Sequence, residues 1–176
     1  MLRGERVILR PTERADLRRL WELLQDMDVA VLADDGPIVP VSLSSYEARF
    51  DRHLAEPRDD LVEFVIDVDG GLVGSCQLHA IDRFHRRCDL GIALGRDYWG
   101  KGYGQDAVRV LVDYAFTQLD MRRVGLRVLA HDERAIGAYR KVGFVEEGRL
   151  RAYSLFEGQP RDDLLMGILR EDGPRI

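Results

Sequence analysis

Two cysteines in 176 residues are too few for a disulfide framework, and the spacing of Cys76 and Cys88 fits no zinc motif. Both read as reduced packing residues. Long apolar runs are missing too. No stretch reaches bilayer-spanning length, and the opening MLRGERVILRP lacks the apolar core of a secretion signal. A cytoplasmic protein with no membrane partner is therefore expected. Nor is there a basic excess: 31 Asp and Glu outnumber 26 Lys and Arg, for a net charge of −5. That balance argues against a nucleic-acid partner. No repeat, linker or low-complexity segment interrupts the chain, so one domain over residues 1–176 is expected.

What is present is enough apolar matter for a core, 45% of residues, arranged in two periods. RVILRP, LVEFVIDV and GLVGSCQLHAI read as strands, the last two joined at Asp69-Gly70-Gly71, a strong hairpin signal. RRCDLGIAL and RRVGLRVLA are further strands, and the C-terminal GFVEEGRLRAYSLFEGQPRDDLLMGILR reads as two strands around Glu157-Gly158. Helical spacing appears in RADLRRLWELLQDM, in YEARFDRHLAE, from Gly104 to Leu119, and in DERAIGAYRKV, which Gly143 ends. The segment LADDGPIVPVSLSS reads as a loop. The expected order is β-α-α-β-β-β-α-β-α-β-β, a mixed α/β fold.

The stretch WGKGYGQ, Trp99 to Gln105, sets glycines at positions 100, 102 and 104 just before a helix. A tight turn is the simplest use of such glycines. A phosphate-gripping Walker loop is excluded because no Gly-Lys-Ser/Thr follows at the required spacing, and a dinucleotide fingerprint needs G-x-G-x-x-G. A diphosphate cradle remains: bare backbone N–H groups at the positive end of a helix, with Lys101 adding charge.

YWGKGYGQDAVRVLVDYAF resembles the acyl-CoA-binding motif of the GNAT superfamily of N-acetyltransferases, Gln/Arg-x-x-Gly-x-Gly/Ala. Gly102 and Gly104 fill the glycine places, and Trp99 stands where Gln or Arg is usual. HDERAIGAYRKVGF is similar to the second hallmark, with Ala135, Tyr139, Gly143 and Phe144 in place and Asp132 where Asn is usual. The likeness extends over nearly the whole chain. It is greatest to the branch of ribosomal-protein N-terminal acetyltransferases and spermidine N-acetyltransferases.

The resemblance implies a GNAT fold: a mostly antiparallel twisted sheet whose parallel fourth and fifth strands, DLGIAL and RVGLRVLA, splay apart. It implies acetyl-CoA as co-substrate, no metal, an amine acceptor and, in this branch, a homo-oligomer. The backbone from Gly100 through Lys101, Gly102, Tyr103 and Gly104 to Gln105 would hold the diphosphate. Ile92, Ala93 and Leu94 would pair with the pantetheine arm as an added strand, and Asp132 and Ala135 would flank the cofactor. Tyr139 would give its proton to the departing thiolate. The Leu94 amide would polarise the thioester carbonyl.

The acceptor must lose a proton first. For an amine of pKa near 10.4 this costs roughly 4–5 kcal/mol at pH 7, and for an α-amine near 8 about 1 kcal/mol. Asp89 is the first candidate base, a surface pairing with Arg86 or Arg87 being the equal alternative, and Glu63 the weaker candidate. His79 and His85 are expected to be structural. The acceptor pocket should form from the first two helices, the loop carrying Asp34 and Asp35, and the last hairpin, with Trp21, Tyr46, Phe50 and Tyr153 lining or packing beneath it. A non-catalytic module that binds acyl-CoA is the rival reading; the presence of Tyr139 favours an enzyme.

Overall fold

The computed structural model describes residues 1–33, 39–156 and 158–172, the side chains of 31–33 excepted. Asp34, Asp35 and Glu157 lie outside the described residues.

Alternating apolar and polar residues place eight strands in one sheet. They are β1 (Leu2–Arg3), β2 (Ile8–Arg10), β3 (Val62–Val68), β4 (Gly71–Asp82), β5 (Arg87–Leu94), β6 (Arg123–Leu129), β7 (Val145–Phe156) and β8 (Gln159–Leu169). Their spatial order is β1-β2-β3-β4-β5-β6-β8-β7. Every neighbouring pair is antiparallel except β5 and β6, which run parallel. At the β3–β4 hairpin Asp69 and Gly70 both take positive φ, 53° and 81°, as a two-residue turn matching the strand twist requires.

The parallel pair is short. Arg87, Cys88 and Asp89 pair with Arg123, Val124 and Gly125, and pairing stops there. Beyond that rung β5 continues against β4 to Leu94, while β6 continues against β8 to Leu129. The sheet thus splits along its length, as the expected splay requires.

Helices α1 (Leu17–Leu23), α2 (Met27–Ala33), α3 (Leu43–Ala55), α4 (Tyr103–Thr117) and α5 (Glu133–Val142) flank the sheet. Strand alternation separates them. Phe64 meets Tyr114 of α4 edge-on, with ring centroids 5.5 Å apart. Its neighbour Glu63, with Gln77 and Gly91 in register across β4 and β5, borders a cavity shared with α1 and α3. On the α4 side Leu78, Leu111, Val124 and Phe144 are buried in one core cluster.

Two elements differ from the sequence expectation. The first strand is preceded by the two-residue β1. The first helix also ends at Leu23, and α2 starts where a helix end and loop were expected. Asp26 makes this second start: its carbonyl accepts the N–H of Val29 and Ala30, and its carboxylate accepts the N–H of Asp28. Among the described residues no helix is long and apolar enough to cross a membrane.

Candidate active site

Helix α4 begins without a side-chain cap. Gly102, in the left-handed region at φ 83°, occupies the cap position and offers no side-chain acceptor. The other long helices differ: Ser42 Oγ caps α3 at Ser45 N, and Asp132 caps α5 at Ala135 N. The intrahelical bonds of α4 begin with Asp106 N–H to the Gly102 carbonyl at 3.0 Å. The N–H groups of Tyr103, Gly104 and Gln105 therefore point out of the helix end without a helical acceptor. Gly100, at φ 73°, turns the preceding loop, and a Cβ there would meet nothing within 4 Å. A bare, positively polarised helix mouth fits an anionic diphosphate.

The neighbouring edge of β5 has spare main-chain groups. Gly95 N–H donates to the Val73 carbonyl of β4 at 3.0 Å. In an antiparallel ladder alternate residues face opposite ways. Ile92 and Leu94 therefore direct their N–H and C=O groups away from β4, into the split where β6 has departed. The Leu94 carbonyl is taken by the Trp99 indole N–H at 2.8 Å. Arg134 of α5 stacks on the same indole, 4.3 Å from its centroid. Trp99 thereby ties the loop to β5 and to the start of α5, while the Ile92 and Leu94 amides face the gap.

Tyr139 lies on α5, half-buried against the core and 5.9 Å from the Phe144 ring centroid. No hydrogen bond reaches its hydroxyl among the described residues. Burial, and then the nearby Asp132 carboxylate, push its pKa up to about 12. At neutral pH it is a phenol with a proton to give.

On the opposite face a cavity of about 390 Å³ opens between the sheet, α1 and α3. Its wall includes Tyr46, Phe50, His53, Glu63 and, from β5, Gly91 to Ala93. Cavity and split therefore share the strand that carries Ile92. Glu63 pairs with His53 at 3.4 Å.

Asp89 lies elsewhere. It sits on the last paired rung before the split, exposed, with its carboxylate turned onto Gly125 of β6. Of the aromatic residues expected at the pocket, Tyr46 and Phe50 line it. Trp21 donates to the Val41 carbonyl at 2.6 Å, and Tyr153 lies under the Arg127 guanidinium, 4.6 Å away.

The chain matches the acetyltransferase (GNAT) domain family over residues 6–145. It belongs to the GNAT acetyltransferase family. Over 165 residues it is 34% identical to spermidine N(1)-acetyltransferase of Escherichia coli K12, covering 93% of this chain and 86% of that one. A putative ribosomal N-acetyltransferase of Bacillus subtilis is 30% identical over 59% of this chain and 57% of its own length. Spermidine N-acetyltransferase of Vibrio cholerae, solved with CoA and spermine, superposes with a TM-score of 0.86 at 26% identity, covering 96% of this chain and 98% of that one. Its dodecameric form matches with a TM-score of 0.82. This GNAT protein is an N-acetyltransferase with acetyl-CoA as donor.

The buried thiols suit a transferase that needs no acyl-cysteine. Burial pushes Cys76 far above the thiol range, and burial with the neighbouring Asp89 charge pushes Cys88 up to about 12. Sequence reasoning missed a third group of residues. Arg6, in the β1–β2 turn, donates to the Lys101 carbonyl at 3.0 Å and lies over Gly102. Asp106, 5% exposed, accepts the N–H groups of Arg6 and Val7 at 2.7 and 3.1 Å and pairs with Arg109. The N-terminal turn is thus strapped to the glycine loop, beside a cavity of about 330 Å³ that Arg6, Lys101 and Gln105 help to line. An acid beside Ala107 and Val108 on the apolar stripe of α4 was the available signal.

Proposed function

We propose that the whole chain, residues 1–176, acts as one cytoplasmic catalytic domain that acetylates a primary amine by direct transfer between two bound substrates. Acetyl-CoA supplies an activated acetyl thioester when bound. Gly100 to Gln105 hold its diphosphate, Ile92, Ala93 and Leu94 hold its pantetheine arm, and Asp132 with Ala135 flank it from α5. The observation that carries this reading is the uncapped amino end of α4 beside the free edge of β5.

The amine enters from the cavity between the sheet, α1 and α3. Glu63 borders that cavity and Asp89 is not among its described lining residues, so Glu63 takes the amine's proton, directly or through one water. The Leu94 N–H is free to polarise the acetyl carbonyl. As the C–N bond forms and the C–S bond breaks, Tyr139 gives its proton to the leaving sulfur. The working form is a homo-oligomer in this reading, which the dodecameric form of the Vibrio cholerae relative supports.

Thiol release tests the reading. Protein, acetyl-CoA and a panel of primary amines are mixed, and free CoA is followed with a thiol reagent. Release that depends on amine, falls in Glu63→Gln and survives in Asp89→Asn is expected. Acetyl-CoA binding without release across the panel contradicts it.

A further inference from the structure

Glu63 is set back from the split proposed to hold the thioester. It stands on β3, and the split opens beyond β5. At the usual spacing of about 4.8 Å per strand, β3 and β5 lie about 10 Å apart, further than a direct proton transfer spans. One rung runs straight across this distance: Glu63 pairs with Gln77, and Gln77 pairs with Gly91. Gly91 is the second residue beyond the last β5–β6 pair, at the lip of the split.

Gln77 leans along that rung. A Cβ on Gly91 would lie 3.2 Å from its Nε2, 3.3 Å from its Cγ and 3.7 Å from its Cδ. The side chain therefore lies over the bare backbone of β5. It is half-buried, borders the cavity and makes no hydrogen bond among the described residues. An amide carries two donor hydrogens and an acceptor oxygen, and packing alone requires none of them. Ser75 also borders the cavity from β4, but it pairs with Val65 and Ala93. It has neither a carboxylate on one side nor a bare position on the other.

We infer that Gln77 is a positioning residue for the proton step: its amide holds a water between the acceptor nitrogen and Glu63. The ammonium gives a proton to this water as the water's own proton passes to the Glu63 carboxylate. The amide gains and loses none. Glu63 is exposed and releases the proton to solvent. Gly91 is bare so that the amide can reach the split. The inference deepens the transferase reading above and rests on it.

The test follows CoA release with the primary amine turned over fastest, starting from spermidine and 2-phenylethylamine, between pH 7 and pH values near the amine's pKa. Wild type is compared with Gln77→Leu, Gly91→Ala and the double variant. The charged and titratable groups around Glu63, which are His53, Tyr46, Arg49 and Arg58, are the same in all four proteins, so a difference reports Gln77. At pH 7 Gln77→Leu should lower kcat/KM for the amine about tenfold, the scale of one or two lost hydrogen bonds. KM for acetyl-CoA should hold, which shows that the variant folds. The deficit should shrink as pH rises toward about 10.4, because more acceptor arrives already neutral. Gly91→Ala, whose methyl displaces the amide, should show the same pattern more mildly, and the double variant should be no worse than Gln77→Leu alone. A deficit equal at every pH, or losses that add in the double variant, marks a structural role and overturns the inference. So does Gln77→Leu with wild-type turnover. In each case the transferase reading stands. Release of CoA with neither amine, nor with any other primary amine, overturns the transferase reading and the inference with it.

Discussion

Gly4 faces the Asp106 carboxylate so closely that a Cβ on Gly4 would lie 2.3 Å from Oδ2. The turn is bare because Asp106 reaches into it to accept successive backbone N–H groups. Gly4→Ala should therefore push the carboxylate off its donors, and Asp106→Ala should strand them. Either change should cost about 3 kcal/mol of stability, the scale of buried donors left unsatisfied. Denaturant unfolding checks this, and KM for acetyl-CoA should rise because the same strap holds the Lys101 carbonyl through Arg6.

The same carboxylate gives a pH dependence. Burial alone would raise the Asp106 pKa, but the Arg6 N–H and Arg109, with the Glu5 and Val7 N–H groups, hold it below the ordinary 3.8. A depressed folded-state pKa adds stability that is complete above the unfolded value and is lost as pH falls through the folded one. Thermal melts of wild type should lose stability below about pH 4. Asp106→Asn should be less stable at pH 7 and should flatten that acid limb.

Tyr139→Phe removes the proposed acid and leaves the aromatic packing. Turnover should fall by about 10²-fold, the usual scale for a positioned acid, with acetyl-CoA affinity little changed. Because the phenol titrates near 12, it keeps its proton through the range in which the acceptor amine becomes neutral. The wild-type pH–rate profile should climb to a plateau with no descending limb from this group below about pH 11.

Trp99→Phe keeps a ring under Arg134 and deletes the indole N–H that holds the Leu94 carbonyl. The end of β5 should loosen, raising KM for acetyl-CoA about three- to tenfold while kcat holds, as expected for one neutral hydrogen bond. Steady-state kinetics at fixed amine separates the two parameters.

The succession of most strands and helices along the chain and the glycine loop were legible because they rest on local signals. Alternation marked β3 to β6, Asp69-Gly70 marked the hairpin, and three glycines before an amphipathic run marked the uncapped start of α4. Long-range pairing left no such trace. The acid on the apolar stripe of α4 marks Asp106 as unusual, but nothing near it in the chain announces that residues 5 to 7 will be its partners. The carboxylates show the same limit. Asp89 and Gly91 share strand parity, yet a split one rung later turns Asp89 toward β6, while Glu63, two strands away, borders the cavity. Trp99 looked like a departure from a motif and becomes intelligible once α5 brings Arg134 over its ring.

Calorimetric titration of CoA against pantetheine, which lacks the diphosphate, tests the central claim most directly. Wild type should bind CoA at least about 100-fold more tightly than pantetheine, a difference of about 2.7 kcal/mol, and Gly102→Val should erase most of that advantage. Equal binding of the two compounds, or an advantage untouched by Gly102→Val, would contradict the claim that the open mouth of α4 grips the diphosphate.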